Sequence, residues 1–454
     1  MSKSKIRVFE TFAGIGAQHK ALEILKKQDF LDYEVVATSE WDIWANISYN
    51  AIHHNNKNIA KPLKDKELND FFDKFDLSND SKKVADKMFV KRLPRTTKEI
   101  LYSSMVNSNN LGSILNITGE SLINSITKES TKNSYQTGVD LITYSFPCQD
   151  LSTAGNFHNS NKGMKKGSGT RSGLLWEIER ILRELKVLNQ LPKYLLLENV
   201  RNMLSNKHID DYREWLSFLH DELGYNTQTY QLNAKDYDSP QARTRVYALS
   251  VLGEDDQNFH DSFAKNNRVI EVETIPKNVS SQLKIKKKLH QVLKTDYTKQ
   301  EYLEEASKAT PNLTPSRVKM YCENPILHLS NISEAKYQSQ YQKIGSNGYY
   351  MNYSRTVTTK QDRNPNSGMI SIENSLLIKE HENNPLKKNM HYRLLTPRET
   401  YLLMGFEEKD VKKIFENDFI SQAVRYRQAG NSIVVNVLVA IFKKVAELEY
   451  KEEE

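Results

Sequence analysis

The sequence predicts an α/β fold, a doubly wound sheet joined to a second, less regular segment. Three observations carry that prediction. Residues 6–53 run through strand, helix, strand and helix patterns in turn. Two later apolar runs, Val139–Phe146 and Tyr194–Val200, are bracketed by turn residues and separated by a helical pattern, as in successive βα units. After Gly253 the alternation becomes irregular, Asn, Lys, Tyr and Pro accumulate, and regular patterns return only near residue 393.

Taken in order, Ile6–Phe12 is an alternating, β-rich run that breaks at Ala13-Gly14-Ile15-Gly16. Ala17–Lys27 is helical in pattern, with Ala21, Leu22 and Leu25 on one face. Tyr33–Ser39 is a second strand ending at Glu40-Trp41-Asp42, and Ile43–His53 a second helix. Lys57–Gln136 is rich in Lys, Asn and Ser and reads as a helical insertion with one more short element near Leu111–Ile117. Val139–Phe146 then leads into Pro147-Cys148-Gln149, a loop over Ser152–Ser172 and a helix over Gly173–Leu188. The strand Tyr194–Val200, the helix Asp211–Leu223 and the strands Asn226–Ala234 and Val246–Leu252 complete the first domain. The irregular segment carries a basic run at Leu283–Leu289. Beyond it, Thr396-Pro397-Arg398-Glu399 is a helix start, with a capping Thr, Pro in the first turn and Glu three residues after the cap. Gly430-Asn431-Ser432 is expected to open a last helix, with Ile433, Val434, Val437, Leu438, Ile441 and Val445 on its apolar side.

Composition narrows the function. The chain has 454 residues, enough for more than one domain, and only two cysteines, so a disulfide framework is excluded. No Cys/His cluster has zinc spacing, and no metal site is expected. No hydrophobic stretch follows the basic Met1–Lys5, and no run approaches the roughly 20 apolar residues of a membrane span. A cytoplasmic protein with reduced thiols and no membrane association is the expectation. The net charge of +7 and the pI near 8.9 point to a polyanionic partner without deciding it.

Four predicted strands end in residues with chemistry. The first delivers Gly14 and Gly16, glycines that let a backbone approach a ligand. The dinucleotide pattern G-x-G-x-x-G would need glycine at His19, so a pyrophosphate-binding dehydrogenase is disfavoured. The second delivers Glu40, at the offset where α/β folds place an acid against ribose hydroxyls, with Trp41 beside it for an adenine face. The third leads to Cys148, which by itself reads first as a buried, inert residue, with nucleophile and metal ligand as the alternatives that partners would have to support. The fourth delivers Glu198, an acid from an apolar strand that tends to be protonated or paired. Gln241-Ala242-Arg243-Thr244-Arg245 adds two arginines expected on one face of the following strand.

In this order, F-A-G-x-G, E-W, F-P-C-Q, E-N-V, Q-x-R-x-R, R-x-L-T-P-R-E and Q-x-G-N-S resemble the cytosine-5 DNA methyltransferases of bacterial and phage restriction–modification systems. The resemblance covers Ile6–Leu252 and about Arg393–Val445. It implies a Rossmann-like, S-adenosylmethionine-dependent methyltransferase sheet with a smaller, irregular target-recognition domain. Residues 1–253 would be the catalytic and cofactor-binding domain with an insertion at 57–110, residues 254–392 the target-recognition domain, and residues 393–454 a segment returning to the catalytic domain. Phe12, Gly14, Ile15 and Gly16 would border the methionine part of S-adenosyl-L-methionine, Glu40 would take its ribose and Trp41 its adenine. Asn431 and Ile433 would complete that pocket. Cys148 would attack C6 of a flipped-out cytosine in double-stranded DNA, on a turn shaped by Pro147. Glu198 would hold the base at N3, Arg245 would contact its carbonyl and Arg243 would brace the site. The family's adenine-binding acid has its best match in Gly112-Ser113-Ile114, a serine in place of the acid. Thr356-Val357 matches the end of the family's recognition region, which confines sequence reading to about Asp255–Tyr350. The resemblance also brings in a cognate restriction endonuclease acting on the same site, and a monomeric enzyme. Two competing readings stay open: a catalytically inactive DNA-binding relative and a tRNA cytosine-5 methyltransferase. An enzyme methylating exocyclic amines is disfavoured, because no D-P-P-Y-like tetrapeptide occurs.

Overall fold

The first strand, β1 (Lys5–Thr11), is buried from Ile6 onward, which requires cover on both faces of the sheet. That sheet is the centre of the computed structural model, which describes residues 4–130, 138–148, 150–151, 163–167, 169–253, 259–265, 267–277, 287–310, 326–327, 350–351, 353–372, 375–382 and 392–450. Gln149, Lys162, residues 152–162 and 168 of the expected loop, residues 283–286 of the basic run and most of 255–350 lie outside them. The chain divides into two units, Met1–Leu232 with Thr244–Pro276 and Leu438–Glu454, and Asn233–Arg243 with Lys277–Val437.

In the first unit β1 is followed by α1 (Ala17–Lys27), β2 (Asp32–Ser39) and α2 (Ile43–His53). Both helices have the bounds expected from the sequence. Asp42 caps α2, accepting from the N–H groups of Trp44 and Ala45 at 2.9 Å each. The insertion is helical, as α3 (Asp65–Phe72), α4 (Lys87–Lys91) and α5 (Arg95–Asn107), with a 3-10 turn at Ile114–Asn116 and α6 (Gly119–Ser130) after it. Next come β3 (Leu141–Tyr144), α7 (Leu175–Val187), β4 (Tyr194–Val200), α8 (Ile209–Ser217), β5 (Tyr225–Asn233), β6 (Thr244–Leu252) and β7 (Val272–Glu273). These strands form one sheet in the order β2-β1-β3-β4-β6-β5-β7. β2, β1, β3 and β4 are mutually parallel, and β6 runs antiparallel to β4. The C-terminal ends of four strands and the start of β6 therefore share one edge. Phe9, Ile142, Leu195 and Leu197 join Ile178 and Leu182 of α7 and Trp215 of α8 in one core, where Tyr144 meets Trp215 edge to face at 5.7 Å.

Two expectations need correction. The strand expected over Val139–Phe146 is confined to Leu141–Tyr144. Beyond it the backbone leaves the ladder: the Phe146 carbonyl accepts from the Asn199 side chain at 3.1 Å, and the Pro147 carbonyl from the Ser172 hydroxyl at 2.7 Å. Gly430-Asn431-Ser432 does not open the last helix. Gly430 and Asn431 end the helix Gln422–Asn431, and the last helix is Val435–Glu449. Ser432, with φ −68° and ψ 157°, is extended and breaks the helix, and Gly430 is a packing residue, since a Cβ there would stand 2.3 Å from the Thr359 nitrogen.

The far end of the last helix belongs to the first unit, and it fastens the N-terminal ends of several strands. Glu449 accepts from Lys193 Nζ at 2.7 Å and from the Tyr194 hydroxyl at 2.9 Å. The Tyr450 hydroxyl accepts from Asp32 N–H at 3.4 Å and donates to the Ser4 carbonyl. Among the described residues the helical stretch Gln422–Glu449 is long and apolar enough to cross a membrane, but 83% of its apolar window is buried, as in a core helix.

The second unit holds a four-stranded sheet of short strands and the motif around residue 396. The helix Pro397–Leu403 begins with the expected capping box: Thr396 Oγ1 accepts from Glu399 N–H at 3.3 Å, and Glu399 Oε2 from Thr396 N–H at 2.8 Å. The same carboxylate pairs with the fully buried Arg393 at 2.7 Å.

Candidate active site

Phe12, Gly14 and Gly16 all have positive φ, at 52°, 56° and 76°, so the turn after β1 is a tight left-handed loop. The two glycines serve different purposes. A Cβ at Gly14 would meet nothing nearer than the Phe12 carbonyl at 4.0 Å, so that side of the loop is open. A Cβ at Gly16 would stand 2.2 Å from His53 Nε2 and 2.7 Å from the Tyr49 ring, so Gly16 lets α2 pack beneath the loop. His53 Nε2 also lies 3.2 Å from the Ile15 carbonyl, and Ile15 itself is buried. Under the loop, the fully buried Glu10 accepts from the Tyr49 hydroxyl at 2.9 Å and from His19 N–H at 3.1 Å.

Glu40 is fixed by backbone donors. Its Oε2 accepts from Gly14 N–H at 2.8 Å and its Oε1 from Asp42 N–H at 2.7 Å, which ties the ends of β1 and β2 together. Burial pushes the Glu40 carboxyl up to about 7, with the charge of Asp42 adding to the rise and the backbone N–H groups opposing it. Asn110 clasps the same residue, accepting from Glu40 N–H at 3.1 Å and donating to its carbonyl at 2.9 Å. Residues 109–111 bond alongside Thr38, so Gly112 and Ser113 follow directly at this edge. Ser113 is buried, and the neighbouring Trp41 is half-buried.

Cys148 is half-buried, four residues beyond the last residue of β3. Its turn is held from all sides: by Asn199 and Ser172 as described, by Asn202 Nδ2 donating to the Leu151 carbonyl at 2.6 Å, and by Asp150 accepting from Arg171 N–H at 3.0 Å. Sequence reasoning missed these positioning residues. Asn199, a buried polar residue beside Glu198 at the end of an apolar strand, was the available signal.

Glu198 lies near the C-terminal end of β4, in the register opposite Tyr247 of β6 and diagonal to Arg245. Its Oε1 lies 3.4 Å from Arg245 Nε, with both side chains mostly shielded from solvent. The expectation of a paired acid is met. Arg243 does not share a strand face with Arg245, because it precedes β6. Its buried guanidinium donates to the carbonyls of Val357 at 2.8 Å, Gly430 at 3.0 Å and Ser432 at 2.9 Å, all within the second unit. Gln241 supports the same clamp, accepting from Val357 N–H at 2.9 Å and donating to the Leu403 carbonyl at 3.1 Å. Also in that unit, Asn431 is exposed at its helix end and Ile433 is buried. Among the described residues no cluster of His, Cys, Asp and Glu is arranged to hold a metal.

A mostly parallel sheet with an antiparallel strand beside β4 and its polar residues at one edge defines an α/β fold, and solved structures share it. The S. pombe Dnmt2 methyltransferase aligns with a TM-score of 0.54 at 17% identity, covering 98% of this chain and 99% of that one. The Entamoeba histolytica methyltransferase EhMeth aligns with a TM-score of 0.55 at 14% identity, covering 99% and 100%. The profile of the C-5 cytosine-specific DNA methylase family matches residues 107–447. The orphan methyltransferase M.SssI of Spiroplasma monobiae is 35% identical over 443 residues, 97% of each chain. The type II methyltransferase M2.ScrFI of Lactococcus lactis subsp. cremoris is 30% identical over 448 residues, 97% of this chain and 99% of its own. The chain belongs to the C-5 cytosine-specific DNA methylase family and is a DNA (cytosine-5-)-methyltransferase.

Proposed function

We propose that this chain methylates C5 of a flipped-out cytosine in double-stranded DNA, using S-adenosyl-L-methionine and a covalent bond from Cys148 Sγ to C6. The observation that carries the reading is that Cys148, Glu198 and Arg245 lie at the sheet edge that also bears Gly14 and Glu40. The cofactor fits the residues present. Gly14 leaves its side of the loop open, and the Glu40 carboxylate retains acceptor capacity beyond its backbone donors for a ribose diol. Phe12, Ile15 and Gly16 would shape the methionine end, with Trp41 and Ser113 at the adenine end.

Cytosine C5 is a poor nucleophile. Addition of the Cys148 thiolate to C6 places electron density on C5, while the Glu198 carboxyl donates a proton or hydrogen bond at N3 and accepts the charge that develops there. Arg245 holds Glu198 in place and faces the base carbonyl. The bound cofactor supplies an electrophilic methyl group, which C5 accepts. Loss of the C5 proton then reverses the addition and releases Cys148. A base inside a duplex cannot present C6 to the thiol, so the target nucleotide leaves the stack. Recognition of sequence is assigned to the irregular residues 254–392.

Duplex DNA carrying 5-fluorocytosine tests the covalent step, because fluorine cannot leave as a proton does. An SDS-stable complex is expected, and its absence with active enzyme refutes thiol addition. A tritiated methyl-transfer assay on duplex DNA and on tRNA tests the substrate, with incorporation expected in DNA alone.

A further inference from the structure

The central run of the insertion, Phe75–Ser81, is fastened to both strand-end turns that flank the adenine end of the cofactor site proposed above. On the β2 side, Ser78 N–H donates to the Trp41 carbonyl at 2.7 Å, and the Ser78 carbonyl accepts from Ile43 N–H at 2.9 Å. Asn79 Oδ1 accepts from the Trp44 indole N–H at 2.7 Å, and the Ser81 hydroxyl donates to Asp42 at 2.5 Å. On the other side the Phe75 ring lies against Gly112, where a Cβ would come within 2.9 Å of a ring carbon. Asp76 accepts from Asn116 Nδ2 at 2.9 Å, just beyond Ser113. The run is itself stiff. Ser78 and Val84 form an antiparallel bridge, and the Ser78 hydroxyl donates to the Lys83 carbonyl at 2.7 Å. Phe71 braces the Phe75 ring at 5.1 Å between centroids and meets Tyr102 at 4.6 Å.

We infer that Phe75–Ser81 is a clamp that sets the width of the adenine pocket by tying Trp41 to Gly112-Ser113, and that Phe75 is a positioning residue for cofactor binding. The inference rests on reading this edge as the S-adenosylmethionine site. Ser113 offers one hydroxyl where the family resemblance leads one to expect an acid. Affinity for a flat ring then depends on how well its two walls are held in advance, and a preorganised wall costs less to order on binding.

Phe75→Ala is expected to weaken S-adenosyl-L-homocysteine binding, read by isothermal titration calorimetry, about tenfold, or about 1.4 kcal/mol. KM for S-adenosyl-L-methionine should rise by the same factor, with kcat at saturating cofactor and duplex-DNA affinity unchanged. Phe71→Ala removes the brace but leaves the ring over Gly112, so it should lower the melting temperature and cost less cofactor affinity than Phe75→Ala. Phe75→Leu keeps most of the bulk, covers the case in which the alanine variant does not fold, and should fall between. Wild-type affinity in a folded Phe75→Ala or Phe75→Leu protein overturns the inference, as does an equal loss in Phe71→Ala. Failure of the wild-type chain to bind S-adenosyl-L-homocysteine overturns the underlying site reading instead.

Discussion

Glu198 and Arg245 face each other across the antiparallel β4–β6 pair, carboxylate Oε1 to guanidinium Nε at 3.4 Å. The pair places a charge-holding acid beside the strand end that leads to Cys148. Glu198→Gln keeps the shape and removes the proton donor, and kcat should fall at least about 100-fold with cofactor affinity unchanged. A single-turnover assay with saturating DNA checks this, and near-wild-type chemistry would remove Glu198 from the mechanism.

Cys148→Ala should abolish methyl transfer while DNA and cofactor binding persist, since Asn199, Ser172 and Asn202 hold the backbone of the turn. Gel shift and calorimetry on the inactive variant test both halves. Normal methylation by that variant would sink the covalent route.

Arg243 and Arg245 are two residues apart, and their alanine variants should fail differently. Arg243→Ala leaves three backbone carbonyls of the second unit without their donor, and it should lower that unit's stability by about 3 kcal/mol, read from urea unfolding. Arg245→Ala leaves only the Glu198 carboxylate unpaired, and that group can take up a proton, so the variant should lose less stability than Arg243→Ala and depress turnover more.

Burial holds the Glu10 carboxyl at about 7 in the folded chain, above its ordinary value of 4.5. The folded state then binds more protons than the unfolded one between those values, so this group's contribution to stability falls as pH rises through the window. Glu10→Gln removes that dependence. Relative to wild type, the variant's denaturation midpoint should improve between about pH 5 and about pH 8. A constant difference across the range would show that Glu10 titrates normally.

Exchanging Asp255–Tyr350 for the corresponding segment of another family member should change the methylated sequence and leave the chemistry intact. Bisulfite sequencing of DNA from expressing cells reads the target, and an unchanged target would refute that placement of recognition.

Much of this was legible in the sequence because it rests on local signals. The bounds of α1 and α2 follow from apolar periodicity and, for α2, the Asp42 cap. The sheet edge follows from turn residues after apolar runs, and the capping box from Thr396, Pro397 and Glu399 within four residues. What the sequence left unread or misplaced depends on contacts from afar. The Cβ space beneath Gly16 is filled by His53 and Tyr49 of the next helix, so that glycine is a packing residue as much as a loop residue. Gly430 looks like a helix opener, but Ser432 is extended and the backbone at Thr358–Thr359 packs against the glycine. Arg243 and Arg245 share a spacing, but only the carbonyls of Val357, Gly430 and Ser432 reveal that the first is a structural clamp. The Phe75–Ser81 run carries no motif at all, because its partners, the Trp41 carbonyl, Asp42, Trp44, Gly112 and Asn116, lie 35 to 40 residues away in the sequence.

Tyr450 reaches the Ser4 carbonyl and Asp32, and Glu449 reaches Lys193 and Tyr194, so a helix far away in the sequence closes over the starts of β1, β2 and β4 together. Loosening that helix would release three strand starts at once, so the sheet and its distant helix open as one cooperative unit rather than as a core with an appended tail.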